Sequence, residues 1–288
     1  MIYNMVKDFK IAVIGSGTMG NGIAHVSSQA GFKTLLIDIN QDQLNKALHT
    51  IENNLDRQIN KNIISKSDKQ NILNNISINT NIKSCKDMDL VIEAVPEKYD
   101  LKVSIFKQLD DVCKESTILA SNTSSISISD LGNQTKRPKN IIGMHFMNPV
   151  PIMKLVEVIK TMHTSNSTLK AIIDISKKMK KIPVECNDYP GFISNRILMP
   201  MINEAIFCLE QDVAEKEAID DIMKLGMAHP MGPLELADFI GLDVCLDIMN
   251  VLRVGFNDSK YRPCILLKKM VSSGLLGKKS GRGFYTYD

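Results

Sequence analysis

Two residues that can transfer a proton lie close together in the middle of the chain. His145 ends an apolar run that begins at Ile141, and Glu157 lies inside the next apolar run. Both runs are rich in β-branched residues and are separated by a turn signal at 148–151, which predicts two adjacent strands. A carboxylate among apolar neighbours needs a partner. A histidine that meets it through one ring nitrogen keeps the other nitrogen as a base.

The pattern therefore predicts that His145 and Glu157 face each other and work as a general base. The residues alone leave a second interpretation open. Glu157 would then lie on an exposed strand face, and His145 would be hydrogen-bonded in the core.

A second candidate site is the glycine-rich segment 15–20, with the sequence GSGTMG. It follows an apolar run, 9–14, and precedes a helical pattern, so the order is strand, glycine turn, helix. Such a turn lets the backbone approach a pyrophosphate, and the helix N-terminus offers free N–H groups to phosphates. We expect five residues here to contact a dinucleotide: Gly15, Gly17, Thr18, Met19 and Gly20.

Asp38 ends the next apolar run and lies eighteen residues after Gly20, close to the spacing of an acidic residue that binds a ribose diol. Its charge would repel a 2′-phosphate, and neither Ile39 nor Asn40 supplies an arginine that would reverse this preference. The sequence therefore predicts NAD as the cofactor. A helix N-cap is the alternative role for Asp38.

The first half of the chain alternates between strand and helix signals. Long polar helices are predicted over 41–75 and another helix over 99–112, and apolar runs predict strands at 90–94, 117–120 and 141–145. This alternation predicts a parallel, doubly wound sheet whose ligand binds at the carboxyl ends of the strands.

Two loops follow those ends, 95–97 and 121–125. The second is a cluster of hydroxyl and amide side chains that could donate hydrogen bonds to a ligand, with helix capping as the alternative. The lysines of the polar helices, Lys61, Lys66 and Lys69, also fit a solvated face.

Helical periodicity replaces the alternation after Pro183. Helices are predicted over 190–209, 215–225, 232–252 and 262–273. A turn cluster at 188–191 predicts the division into an NAD-binding domain, 1–187, and a helical domain, 188–288. The first helix is apolar around much of its circumference, which favours a homo-oligomer through this domain. Asn195 precedes that apolar run, where it could face a cleft or bond to its own helix.

Composition excludes several classes of function. The 35 basic and 32 acidic residues give a formal charge of +3, so nucleic acid is not the expected main partner. The first ten residues lack the apolar core of a signal peptide, and no apolar stretch is long enough to span a bilayer. Six scattered cysteines have no metal-ligand spacing. We expect a cytoplasmic protein with reduced thiols and no metal.

Seven motifs in order resemble the L-3-hydroxyacyl-CoA dehydrogenase family, and most closely its short bacterial members that act on 3-hydroxybutyryl-CoA. The motifs are GSGTMG, VPE, SNTSS, HFMNPVP, KLVEVI, DYPGFISNR and PMGPLELADFIGLD. The resemblance implies an α/β fold, with a Rossmann-type doubly wound sheet followed by an all-α C-terminal domain that dimerises. It also implies a cleft that closes over NAD and an acyl-CoA.

The implied activity interconverts an (S)-3-hydroxyacyl-CoA and a 3-ketoacyl-CoA, such as acetoacetyl-CoA, by hydride transfer. The resemblance makes His145 the catalytic base and Glu157 the residue that orients it. It places Ser124 and Asn195 against the reacting substrate. The positions that it places near the cofactor are Asp38, Glu97, Lys102, Asn122, Asn148 and Lys279, and it places Lys61 near the CoA phosphates.

Two other functions fit parts of the sequence. One is a dehydrogenase of a free 3-hydroxy acid that uses a lysine as acid and base; the His145 and Glu157 hairpin and the absence of an obvious replacement lysine motif count against it. The other is a non-catalytic NAD-binding protein of the same fold. An intact set of His145, Glu157, Ser124 and Asn195 counts against that one.

Overall fold

The computed structural model of the protein describes residues 9–287, so most of the segment on which the signal-peptide prediction rests lies outside this range. The chain divides into two compact units, of which the first ends at Asp188 and the second begins at Tyr189.

The first unit contains an eight-stranded sheet within the described residues, with the strand order β3-β2-β1-β4-β5-β6-β7-β8. The strands are β1 Lys10–Ile14, β2 Lys33–Ile37, β3 Ile76–Asn79, β4 Leu90–Glu93, β5 Ile118–Ser121, β6 Ile141–Phe146, β7 Leu155–Lys160 and β8 Ile182–Asn187. Neighbours are parallel except β6 and β7, which are antiparallel. The first six strands follow the order of a doubly wound, dinucleotide-binding sheet.

Six α-helices accompany this sheet in the described part of the unit: α1 Thr18–Gln29, α2 Gln41–Asn60, α3 Lys66–Asn74, α4 Tyr99–Val112, α5 Ile128–Gly132 and α6 Asn166–Lys178. The central strands β4, β5 and β6 are buried along their whole length. They are mostly apolar because a parallel sheet is covered on both faces. The predicted α/β class is confirmed.

Two strands were not predicted, and both lie at an edge of the sheet. β3 alternates between half-buried and exposed residues and is only four residues long, so it carries little apolar signal. The sequence placed the end of the strand pattern at Pro183, but this residue lies inside β8 opposite Val156. An edge strand tolerates proline because one row of its N–H groups has no partner strand.

The second unit is built from helices, as predicted. They are α7 Ser194–Glu210, α8 Lys216–Asp221, α9 Pro233–Ile240, α10 Leu242–Phe256 and α11 Ile265–Ser272, with a π-helical turn at Ile222–Gly226. The helix predicted over 232–252 is wrong in one respect, because Gly241 divides it. Gly241 has a φ of 106°, which a helix cannot accommodate and which glycine adopts without strain.

Three further observations concern membrane-spanning helices, the cysteines and possible metal sites. No helix within residues 9–287 has both the length and the apolar character needed to cross a lipid bilayer. All six cysteines are free thiols. The described residues contain no cluster of three or more His, Cys, Asp or Glu side chains that could hold a metal ion.

The close packing of the strand that carries His145 gives a stability prediction. A Cβ added at Gly143 would lie 2.8 Å from Ile159 Cβ and 3.1 Å from Ile128 Cδ1. We expect Gly143→Ala to lower the free energy of unfolding by about 1–3 kcal/mol through overpacking, measured by urea denaturation. Gly226→Ala is the control, because no atom lies within 4 Å of its added Cβ. Equal stability of the two variants would contradict this account of the packing.

Candidate active site

His145 and Glu157 meet across the antiparallel pair formed by β6 and β7. The register sets their Cα atoms opposite each other, and His145 Nδ1 lies 2.7 Å from Glu157 Oε2. Both residues are buried, with exposed fractions of 7% and 3%. The alternative that placed Glu157 on an exposed strand face is therefore wrong, and the predicted contact is present.

Ser124 extends this pair into a line of three groups. Its Oγ lies 3.1 Å from His145 Nε2, on the opposite side of the ring from Glu157. Because a carboxylate only accepts hydrogen bonds, Nδ1 donates to Glu157. Nε2 then keeps its lone pair and accepts a hydrogen bond from the Ser124 hydroxyl. A substrate hydroxyl near Nε2 would then meet a base whose positive form Glu157 stabilises.

The same three residue types also occur in hydrolases that use serine as a nucleophile, but the surrounding hydrogen bonds favour proton transfer to a substrate. A hydrolase needs N–H donors directed at an oxyanion. Here the N–H groups of Ser124 and Ser125 both donate to Glu97 Oε1, at 3.0 and 3.1 Å. These N–H groups therefore bind Glu97 and are not directed at a substrate oxyanion.

Glu97 organises the whole loop that follows β5. Besides the two N–H groups, its Oε1 accepts hydrogen bonds from the hydroxyls of Thr123 and Ser125. Partial burial alone would raise the pKa of Glu97, but the Lys102 ammonium and these hydroxyls hold the pKa below its ordinary value. Glu97 is thus a stable anion at neutral pH, and it fixes the backbone that carries Ser124.

Lys102 is fully enclosed beneath this loop. Its Nζ lies 2.7 Å from Glu93 Oε1 and 3.2 Å from Glu97 Oε2, and its side chain is 1% exposed. The charge of Lys102 is therefore balanced within the protein by two carboxylates. Its predicted position near a cofactor stays a prediction.

Glu93 was missed by sequence reasoning, although it is completely buried. It accepts hydrogen bonds from Val95 N, Lys102 Nζ and Ser121 Oγ at 2.6–2.7 Å. An acidic residue inside the apolar run 90–94 was the available signal, since such a residue needs a cation within reach.

Asn122 links this loop to the strand of the histidine. Its Oδ1 accepts a hydrogen bond from Phe146 N at 2.9 Å. Asn148 lies two residues after Phe146, in the turn that joins β6 to β7, and its side chain is exposed. Asn122 therefore has a structural contact next to the histidine, and contact of either asparagine with a cofactor stays a prediction.

The glycine turn borders a cavity of about 920 Å³ in the first unit, whose lining also includes Asp38 and one face of α4 from Leu101 to Gln108. Gly15 has a φ of 96°, and a Cβ at Gly20 would lie 1.7 Å from Gly15 O. Both positions therefore require glycine for the fold itself. Gly17 differs, because no protein atom lies within 4 Å of its added Cβ. The space beside Gly17 is open for a ligand.

Asp38 lies in the same cavity lining, and its carboxylate holds the glycine turn. Its Oδ2 accepts hydrogen bonds from Ser16 N at 2.8 Å and from Ser16 Oγ at 2.7 Å. The N-cap of α2 is Asn40, whose side chain accepts from the N–H groups of Asp42 and Gln43. The alternative role of Asp38 as a helix N-cap is therefore wrong.

A second cavity in the first unit, of about 540 Å³, is strongly basic. Its cationic lining residues are Arg57, Lys61, Lys154, Lys178, Lys180 and Lys181, and we call this cavity the basic groove. None of the six forms an ion pair with a carboxylate of residues 9–287. Lys69, by contrast, pairs with Asp56 at 2.6 Å, and Lys66 is exposed at the start of α3. Of the lysines in the predicted polar helices, Lys61 lines the basic groove.

Two predicted site residues belong to the second unit. Asn195 is buried in the first turn of α7. Lys279 forms an ion pair of 2.5 Å with Asp243. Their contributions to substrate and cofactor binding stay predictions.

The chain matches one family over both units. The profile of the 3-hydroxyacyl-CoA dehydrogenase NAD binding domain covers residues 10–189, and the profile of the C-terminal domain of the same family covers residues 191–287. The first unit is thus an NAD-binding domain.

Individual relatives are similar over nearly their full length. A probable 3-hydroxybutyryl-CoA dehydrogenase of Bacillus subtilis is 52% identical over 97% of this chain and 97% of its own. A 3-hydroxybutyryl-CoA dehydrogenase of Bradyrhizobium diazoefficiens is 51% identical over 96% and 95%. Among solved structures, that of (S)-3-hydroxybutyryl-CoA dehydrogenase from Ralstonia eutropha is 47% identical, with a TM-score of 0.95 over 97% of this chain and 99% of that one.

The open space at Gly17 gives a prediction about cofactor binding. We expect Gly17→Ala to raise the Kd for NADH about tenfold or more, which corresponds to about 1.4 kcal/mol, because the methyl group occupies the place where the pyrophosphate approaches. Its melting temperature should stay close to that of the parent protein. Fluorescence titration with NADH and thermal unfolding are the two measurements.

Gly20→Ala is the matched control, since its Cβ would collide with Gly15 O. This variant should lose stability as well as affinity. An unchanged NADH affinity in Gly17→Ala would contradict the assignment of this cavity to the dinucleotide.

Proposed function

We propose that this chain, which belongs to the 3-hydroxyacyl-CoA dehydrogenase family and is an NAD-dependent oxidoreductase, interconverts (S)-3-hydroxybutyryl-CoA and acetoacetyl-CoA. The observation that carries the proposal is the line of Ser124, His145 and Glu157 in the unit that also holds the dinucleotide cavity. The residues of both features follow the carboxyl ends of parallel strands or lie beside those ends, where ligands bind in such sheets. The names of the relatives support the choice of substrate.

His145 is the general acid and base of the proposed reaction. In the oxidative direction Nε2 accepts the proton of the 3-hydroxyl group, and in the reductive direction the imidazolium returns it to the oxygen. Glu157 stabilises the imidazolium by accepting the Nδ1 hydrogen bond. NAD, when bound, supplies the hydride acceptor, and the protein contributes position and proton transfer.

Ser124 and Asn195 are proposed to hold the reacting oxygen. The hydroxyl of Ser124 already marks the hydrogen-bonding position beside Nε2, at 3.1 Å. A substrate hydroxyl that binds beside Nε2 would accept a hydrogen bond from Ser124 and give its own proton to His145. Family resemblance supports the part of Asn195.

The basic groove favours a CoA thioester over a free hydroxy acid as the substrate. CoA carries several phosphate charges, whereas a free 3-hydroxy acid carries one carboxylate. Six cations that form no ion pair within residues 9–287 concentrate positive potential in one place, as a polyanionic ligand requires. We propose that Lys61, at the C-terminal end of α2, contributes to this phosphate site.

The same proposal covers assembly and location. The second unit exposes large apolar side chains, among them Ile197 at 66% and Val254 at 80%, which supports a homodimer or higher homo-oligomer through the domain 188–288. The six free thiols fit a reducing compartment, so we propose that the protein is cytoplasmic.

Steady-state NADH oxidation with acetoacetyl-CoA and with free acetoacetate tests the substrate class. We expect kcat/KM to be at least about 100-fold higher for the thioester, because charge-assisted hydrogen bonds to phosphates are worth about 1.5–3 kcal/mol each. Equal or higher activity on the free acid would support the alternative dehydrogenase. NADH binding without turnover on any 3-ketoacyl-CoA would support the non-catalytic alternative. A series of acyl chains from four to sixteen carbons then measures the length preference.

Removal of the imidazole tests the catalytic role of His145. General base catalysis contributes about 10²- to 10⁴-fold, so His145→Ala should lose roughly that factor in kcat while NADH binding is retained. His163→Ala is the control, because this histidine is exposed in a loop outside the candidate site. Near-parental turnover in His145→Ala would refute the assignment.

A further inference from the structure

Lys181 is the one lysine of the basic groove that is buried, with an exposed fraction of 7%. It directly precedes β8, and its ammonium donates hydrogen bonds to Val150 O and, at 2.8 Å, to Met153 O. Both carbonyl groups belong to the turn that connects β6 with β7. The ammonium therefore lies between the groove and the hairpin that carries the catalytic pair.

The positive charge of Lys181 has no counter-charge within residues 9–287. It forms no ion pair there, and its two acceptors are neutral carbonyl groups. His25, a completely buried neighbour, supplies no negative charge, because an imidazole is either neutral or positive. Burial and then the charge of Lys181 lower the pKa of His25 to about 4, so the ring is neutral at neutral pH. A buried cation without an anion costs free energy, so this position favours an anionic ligand.

The ammonium also has a donor left for such a ligand. Of its three N–H groups, the two described hydrogen bonds use two. Lys181 lines the basic groove together with the exposed cations Lys61, Lys154 and Lys180. Charge-assisted hydrogen bonds are stronger in a partly buried setting than at exposed side chains, where ion pairs contribute little.

We propose that Lys181 is the inner phosphate-binding residue of the basic groove, and that its ammonium donates to a phosphate oxygen of the bound acyl-CoA while it holds the β6–β7 turn. This inference rests on the proposed function, because it takes the acyl-CoA as the ligand. One cation then contacts both the substrate's phosphate and the turn between His145 and Glu157. Lys181 is thus a substrate-binding residue that also positions the catalytic hairpin.

Calorimetric titration with free CoA tests the phosphate contact directly. We expect Lys181→Met to raise the Kd for CoA about 10- to 100-fold, the value of one charge-assisted hydrogen bond. Lys170→Met, which removes an exposed cation of α6 that does not line the basic groove, should change the Kd by less than about threefold. CoA affinity in Lys181→Met that stays within that limit overturns the inference.

Kinetics with two thioesters separate phosphate binding from a purely structural role. Acetoacetyl-pantetheine lacks the phosphate groups of acetoacetyl-CoA that Lys181 is proposed to bind. The fold-loss of kcat/KM in Lys181→Met should therefore be at least about tenfold larger for the CoA thioester than for the pantetheine thioester. Equal losses on the two substrates would show that Lys181 only supports the turn, and they would overturn the inference.

A second variant guards against misfolding. Lys181→Gln removes the charge but keeps an amide that can donate to Val150 O or Met153 O, and it should show the same selective loss. If the parent protein does not bind CoA, the proposed function falls and this inference falls with it. If the parent binds CoA and both variants bind it equally well, only the inference falls.

Discussion

The hydrogen bond between His145 Nδ1 and Glu157 Oε2 is the interaction on which the rest of the candidate site depends. It forms because β6 and β7 run antiparallel, so that the chain turns back and two residues of neighbouring strands come to lie opposite each other. A shift of one residue in this register would turn Glu157 to the other face of the sheet. The register is held by the apolar side chains around the pair, which are buried on both strands.

A second group of charges determines where the histidine can act. Glu93, Lys102 and Glu97 alternate in sign from the buried interior to the loop after β5, and Glu97 binds the backbone of Ser124 and Ser125. Each of these three charges has an opposite charge within 3.2 Å, so the buried charges of Glu93 and Lys102 are paired inside the protein. The loop is therefore held by ionic contacts, while the hairpin beside it is held by apolar packing. The hydrogen bond between Ser124 Oγ and His145 Nε2 connects this loop to the hairpin.

Local patterns were sufficient to predict the parts of the site that are close in sequence. The glycine turn, Asp38 and the pair of His145 and Glu157 each lie within one or two adjacent elements, where strand and turn signals are strong. The basic groove could not be predicted, because its cations come from three separate segments, 57–61, 154 and 178–181. β3 and β8 were missed because edge strands need neither a continuous apolar run nor freedom from proline.

The central claim is that Glu157 fixes the tautomer of His145 and leaves Nε2 as the base. Nitrogen-15 NMR of the His145 ring, recorded where the imidazole is neutral, tests this claim most directly. The account predicts a proton on Nδ1 and a bare Nε2 in the parent protein, and a mixture of the two tautomers in Glu157→Gln, because an amide can accept or donate at that position. A proton on Nε2 in the parent protein, or the same tautomer in both proteins, would contradict it.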